Sequence, residues 1–398
     1  ELTEELADQA AEQVFAVLGE LKGGAMKVGQ ALSVFEAGMP DKYAEPFREA
    51  LTKLQSEAPP LPADEVEKVL DAQLGLKWRE RFAKFDGQAA AAASIGQVHR
   101  AVWSDGREVA VKIQYPGADE ALRSDLKQLR RLAPLLRPLN PGTDVKGVID
   151  ELYESTVSEL DYRLEADTQR VFAAEFAGDP LIRVPSVLAS APKVLVTEWA
   201  NGRALSKIAA EGSPEERNRT AELLSEFQFS SPSRVGMMHG DPHPGNFLLG
   251  DDGRMVVLDF GASIPLPNGF PSVLTSMMRL ALENRGDDLV ALMIRAGYMG
   301  RGGMDSADAM AFLGPFIEPM REPSFQFDRA WMQGILAVYG DFSGREFRTA
   351  RSFTLPREYV LIHRVLSASV GMLCQLQATA PYQQIVRRWM PEIFADED

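Results

Sequence analysis

Three oxygen-bearing side chains, Asp241, Asn246 and Asp259, stand close together in the second half of the chain. Asp241 and Asn246 lie five residues apart in Met238-His239-Gly240-Asp241-Pro242-His243-Pro244-Gly245-Asn246-Phe247-Leu248-Leu249. Asp259 follows the apolar run Val256-Val257-Leu258 and opens Asp259-Phe260-Gly261. Mg²⁺ is a hard cation that takes oxygen ligands, so the Asn246 carbonyl and the Asp259 carboxylate can hold it between phosphates. Asp241 can then orient or deprotonate an attacking oxygen. An isolated His-Gly-Asp means little, but this ordered set is specific for phosphoryl chemistry on an adenine nucleotide, ATP or ADP.

A cation for the phosphates lies upstream. Glu108-Val109-Ala110-Val111-Lys112 reads as a strand ending in a lysine that can pair α and β phosphates. Alone, such a lysine would decorate a surface; beside the downstream set it takes a phosphate role. It also needs a carboxylate to fix its rotamer and charge. Glu159 and Glu165 both fall in a helical run read from Val145 to Phe176. Six residues turn a helix through about 600°, so the two cannot share one face, whereas Asp161 and Glu165 can. One glutamate is available to Lys112 while the other points elsewhere; a solvated acidic face is the competing reading.

Ala91-Ala92-Ala93-Ser94-Ile95-Gly96 stands where an ordinary kinase covers phosphates with a glycine-rich loop. Three Cβ atoms narrow the backbone and crowd the phosphates, while Ser94 and Gly96 keep polar contact and flexibility. Ala92, Ala93 and Ser94 are therefore nucleotide-contact candidates, with an alanine-rich helix start as the alternative.

The elements that must position these groups follow from periodicity. Apolar spacing predicts helices over 2–21, 25–37 and 42–54, then an extended link at Ala58-Pro59-Pro60-Leu61-Pro62. Val66, Val69, Leu70 and Leu74 form one helical face that Gly75 ends. Ser104-Asp105-Gly106-Arg107 is a hairpin turn leading into a strand over Glu108–Gln114. Helical spacing returns from Ala118 to Leu136, and short strands are expected at Val184–Leu188 and Val194–Trp199. Glu198, before a hinge at Ala200, is placed to face the adenine. Beyond Asn201-Gly202 most of the chain reads as helical.

These motifs resemble the ABC1, UbiB or AarF family of atypical kinases, whose animal members are the coenzyme Q kinases. The marks are Lys27-Val28-Gly29-Gln30, the alanine loop through His99, Val109–Lys112, Glu159-Leu160-Asp161, His239–Asn246 and Asp259–Gly261. The resemblance implies an α+β, two-lobed protein-kinase-like fold with a helical N-terminal extension. Its expected divisions are 1–60 for the extension carrying Lys-x-Gly-Gln, 61–200 for a small lobe with inserted helices, and 201–398 for a large helical lobe. It further implies that Lys27 contacts the Glu159 region, that Glu165 pairs with Lys112, and that the alanine loop restrains phosphoryl transfer.

Composition narrows the partners. With 42 Lys and Arg against 57 Asp and Glu the net charge is −15, and no basic run offers a nucleic-acid footprint. No stretch of eighteen consecutive apolar residues predicts a membrane span, and ELTEELADQA lacks the pattern of a secretory signal. The single cysteine, Cys374, forms no internal disulfide and reads as a buried small hydrophobe. Among the histidines, His239 and His99 read as packing groups, His363 as a helix residue, and His243 as a group able to touch phosphate or metal. A cytoplasmic protein is expected, peripheral on the cytoplasmic face where it meets a membrane.

The expected function is a Mg²⁺-dependent ATPase or an atypical small-molecule or lipid kinase, serving quinone or isoprenoid-lipid metabolism by resemblance. His239-Gly240-Asp241 lacks the arginine of the His-Arg-Asp common in protein kinases, and no Ala-Pro-Glu follows Gly261. Both features disfavour a peptide acceptor. A metabolite phosphotransferase, a protein kinase and a non-catalytic nucleotide-gated regulator are the alternatives.

Overall fold

The computed structural model describes residues 61–93, 95–124, 127, 157, 160–299, 304–340 and 355–394. The helices expected within 1–60, together with Lys27, Gln30, Ser94 and Glu159, lie outside the described residues. Two compact units emerge: one takes the described residues through Arg170 plus Pro185–Trp199, the other Val171–Val184 and the residues from Ala200 onward.

The strands in chain order begin with β1 (Phe82–Ala93), β2 (Gly96–Trp103), β3 (Glu108–Gln114), β4 (Ile182–Arg183), β5 (Val187–Ala191) and β6 (Val194–Glu198). All but β4 form one antiparallel sheet in the first unit, in the order β1-β2-β3-β6-β5. Side chains alternate along a strand, so Val109, Val111 and Ile113 of β3 enter the core while Lys112 takes the opposite face. The Ala63–Leu74 helix covers the apolar face with Val66 and Leu70, beside Trp78, Phe82, Val194 and Val196. Asp64 and Glu65 in its first turn suit the helix dipole. Gly75, at φ +87°, ends it in a conformation that side chains disfavour.

The alanine run is strand. Ala92 pairs with Gln97 and Ala93 with Gly96, which removes the helix-start reading. Gly96 is a packing requirement rather than a source of loop freedom: a Cβ there would lie 2.2 Å from the Ile113 carbonyl oxygen. Behind this hairpin, Leu61 N–H donates to Gln97 Oε1 and Gln97 Nε2 donates to His99 Nε2, at 2.7 and 2.8 Å. His99 Nδ1 in turn donates to the Asp86 carbonyl at 2.9 Å. Burial lowers the His99 pKa, consistent with a neutral ring that links three segments.

The helical run expected from Val145 to Phe176 does not pass through Asp161. Tyr162–Glu175 is a separate helix. Asp161 Oδ1 accepts from Arg163 N at 3.0 Å, and Tyr162 N donates to Pro192 O at 3.0 Å. A short acidic side chain that bonds the backbone two residues on offers the chain an alternative to helix. The angular argument relating Glu159 to Glu165 therefore does not hold.

In the second unit β4 joins β7 (Gly202–Ala204), β9 (Phe247–Gly250) and β10 (Met255–Val257) in the order β4-β10-β9-β7. β8 (Met237–His239) pairs with β11 (Ser263–Pro265). The Pro214–Val235 helix runs through the middle of this unit, opened by a Ser213/Glu216 capping box and closed by Gly236 in the left-handed region. Its Glu226 receives Arg388 Nη1 at 3.1 Å and Trp389 Nε1 at 2.9 Å, anchoring the Tyr382–Trp389 helix.

The Arg357–Leu376 segment is long and apolar enough to cross a membrane by length and composition, and it buries Ile362, Val365, Met372 and Leu373 in this unit's core. Cys374 is buried there too, its thiol pushed up to about 11 by desolvation, so it stays protonated and packs as a hydrophobe.

Near the start of that helix, His363 Nε2 lies 2.9 Å from the Tyr298 hydroxyl, and burial lowers its pKa to about 4. An unfolded histidine titrates near 6.5, so between these values the unfolded chain binds the extra proton. Stability should be full above pH 6.5, fall by about 2–3 kcal/mol as pH drops toward 4, and flatten below. Denaturant melts across pH 4–8 on wild type and His363→Gln check this. The variant should lose that component of the pH dependence.

Candidate active site

Each unit carries its own share of the chemistry. In the first, Lys112 Nζ sits 2.9 Å from both carboxylate oxygens of Glu165. The two side chains are only 15% and 2% exposed. The pair joins β3 to the helix that begins at Tyr162. The Tyr162 ring lies 4.9 Å from the ammonium, adding a cation–π contact on a buried face. Gln114 Nε2 donates to Leu160 O at 3.1 Å, tying the end of β3 to the segment that leads into the Glu165 helix. Sequence reasoning missed both Tyr162 and Gln114. Tyr162 had a usable signal, because it stands three residues before Glu165 and so shares its helix face.

Other candidates in this unit take different positions. Ala92 and Ala93 close the β1–β2 hairpin, next to Ser94 outside the described residues. Glu198 ends β6 opposite Val109, and its carboxylate is directed to Ser186 N at 3.2 Å and Arg107 at 3.9 Å. An adenine-facing role for that side chain would require it to leave both partners. Arg100 lies 5.0 Å from the Trp199 ring just beyond.

In the second unit the 239–246 and 259–263 segments are stitched together. His239 pairs with Ser263 across β8 and β11, its Nε2 donates to the Asp259 carbonyl, and Gly240 N donates to Ala262 O at 2.9 Å. A Cβ on Gly240 would meet the Ala262 backbone at 3.0 Å, a tight contact that glycine avoids. His239 is fully buried among Phe227, Phe247 and Phe260, which makes it a packing and orienting group. His243 Nδ1 accepts from Gly245 N at 3.1 Å, an intraloop contact.

The polar ends of these loops are held too. Asn246 Nδ2 donates to both the carbonyl and the Oδ2 of Asp241, each at 3.0 Å. With the amide hydrogens so used, Asn246 Oδ1 is the atom oriented for a cation. Asp259 Oδ1 accepts from Gly261 N at 2.9 Å, and Leu258 N donates to Asn246 O at 2.9 Å. An amide oxygen and a carboxylate are the donors Mg²⁺ prefers, so this set fits the ion.

The family model for the ABC1 atypical kinase-like domain matches residues 53–292. The chain belongs to the ABC1 family. Among curated relatives, Uncharacterized protein slr1919 of Synechocystis is 36% identical over 92% of this chain and 64% of its own length. Atypical kinase COQ8B, mitochondrial, of Rattus norvegicus is 31% identical over 71% of this chain and 53% of that protein. The chain thus spans between about half and two thirds of the length of these relatives. A solved structure, the complex of Rv3197 with erythromycin from Mycobacterium tuberculosis, is 51% identical, covers 98% of both chains and has a TM-score of 0.75. That similarity identifies the two-lobed, protein-kinase-like α+β fold.

The buried ion pair makes a stability prediction. Lys112→Met leaves Glu165 buried without its cation, and should cost about 3–5 kcal/mol. Lys112→Met combined with Glu165→Leu should recover a large part of that loss, because neither charge then remains buried. Urea unfolding of wild type, both single variants and the double variant measures the coupling.

Proposed function

We propose that this ABC1-family chain transfers the γ-phosphoryl group of Mg²⁺–ATP to water or to the hydroxyl of a small, lipid-like acceptor. The observation that carries this reading is the Asn246 amide bonded to Asp241, beside an Asp259 loop tied to the same strands. Asn246 and Asp259 would hold the ion, which when bound offsets the charge of the phosphates. Lys112, oriented by Glu165, supplies a fixed positive charge to the α and β phosphates. Asp241 orients the attacking oxygen and accepts its proton as the bond from phosphorus to the ADP oxygen breaks. By the family resemblance Lys27 would cover the acceptor side and contact the Glu159 region, and Ala92, Ala93 and Ser94 would restrain the phosphate hairpin.

A lipid-like acceptor is favoured over a peptide because glycine stands at 240, where the His-Arg-Asp of protein kinases carries an arginine for a phosphorylated loop. The resemblance to the coenzyme Q kinases, with COQ8B of Rattus norvegicus among the relatives, supports a quinone or isoprenoid-lipid setting with peripheral membrane contact. The similar solved structure is a complex with erythromycin, and 51% identity supports the same macrolide as a ligand here.

Purified chain should hydrolyse ATP with Mg²⁺, with turnover stimulated by anionic vesicles carrying an isoprenoid phenol. Asp259→Asn should lower turnover at least a hundredfold and weaken Mg²⁺-dependent ATP binding in calorimetry, as loss of a charge-stabilising group implies for roughly 10²-fold effects. Binding indifferent to chelator and to this substitution would remove the metal site. Rapid phosphorylation of peptides without a lipid response would reverse the acceptor ranking. Erythromycin titrated in the same calorimeter tests the macrolide.

A further inference from the structure

Arg364 lies on the Val360–Leu376 helix, outside the 53–292 segment that the family model matches. Its Nη2 donates to the Gly240 carbonyl at 3.2 Å, across 124 residues of sequence. That carbonyl belongs to the peptide bond leading into Asp241. We propose that Arg364 is a positioning residue: it fixes the Gly240–Asp241 peptide and thereby the aim of the Asp241 carboxylate. The inference rests on the phosphoryl-transfer reading of Asp241.

The local geometry explains why a distant residue has this task. Residue 240 is glycine and brings no side chain to anchor itself, and a Cβ there would sit tightly against the Ala262 backbone at 3.0–3.2 Å. Its N–H is already spent on Ala262 O at 2.9 Å, which holds one side of the loop. The carbonyl points the other way and needs a donor of its own. Arg364 provides it from a helix held by Ile362 and Val365 in the core and by the His363–Tyr298 hydrogen bond. A guanidinium is planar, permanently charged and forked, so one N–H can hold the carbonyl while the charge remains beside the loop. Among the described residues Arg364 has no carboxylate within ion-pair distance, so its hydrogen bonding is directed to the catalytic loop rather than to a counter-ion.

A purely structural arginine would behave differently from a positioning one, and the full chain distinguishes them. Arg364→Ala should lower kcat for ATP turnover about tenfold or more with KM for ATP within about twofold, as a misplaced reacting group does. The melting temperature should stay near wild type. Amide exchange should rise across 239–246 and not in the β1–β3 sheet. Guanidinium ion added to Arg364→Ala should restore part of the turnover, whereas Arg364→Lys, a point charge without the fork, should restore less. Unchanged kcat, or a loss that follows a lower melting temperature with no local rise in exchange, overturns the proposal. If wild type turns over no ATP, the phosphoryl-transfer reading fails. The exchange comparison then decides alone: faster exchange at 239–246 in Arg364→Ala upholds the positioning contact, and unchanged exchange refutes it.

Discussion

A lysine ammonium that is 15% exposed has surrendered most of its hydration, and two Glu165 oxygens at 2.9 Å replace it. Much of the first unit serves that exchange. The β3 alternation sends Lys112 to the face away from Val109, Val111 and Ile113, and the break at Asp161 starts a new helix that brings Glu165 to the same place. Gln114 and Pro192 bind the start of that helix to the sheet. Separating the two buried groups would cost more than a surface ion pair repays. The arrangement is thus better explained as a device for holding one cation in one place than as a source of stability.

The second unit meets a different constraint. Two loops bearing oxygen groups repel one another unless their backbones are joined, and here the joints are main-chain hydrogen bonds and one buried histidine. Glycine at 240 spares a tight contact with the Ala262 backbone and brings no side chain to steady the loop. An arginine from near the C-terminal end of the described residues makes the missing contact. The Val360–Leu376 helix thus reaches the site through Arg364, while the Glu226–Arg388 pair ties the Tyr382–Trp389 helix to the Pro214–Val235 helix.

The hairpin between β1 and β2 shows how one substitution type changes a loop's mechanics. Alanines carry the strand to its end, paired with Gln97 and Gly96, where a glycine-rich loop would have many more backbone conformations open to it. The one glycine retained there, Gly96, is used for proximity to β3. A hairpin so built has fewer backbone conformations open to it than a glycine-rich loop would have.

Sequence alone nominated the candidate site residues and determined much of the local structure. Motif spacing singled out Lys112, Asp241, Asn246 and Asp259, and alternation drew β3 from Glu108 to Gln114, because such patterns are set by neighbours a few residues apart. Family resemblance added the choice of Glu165. The end of the Tyr162–Glu175 helix at Asp161 was hidden, since helical spacing continues through a residue whose side chain competes for backbone hydrogens. Gly96 likewise looked like loop freedom until the Ile113 carbonyl stood beside it. Tyr162 against Lys112 and Arg364 against Gly240 join residues 50 and 124 positions apart, separations at which no local periodicity operates. Those contacts were decided by tertiary packing, because only a folded core brings a fixed donor to a particular carbonyl and leaves it no water to choose instead.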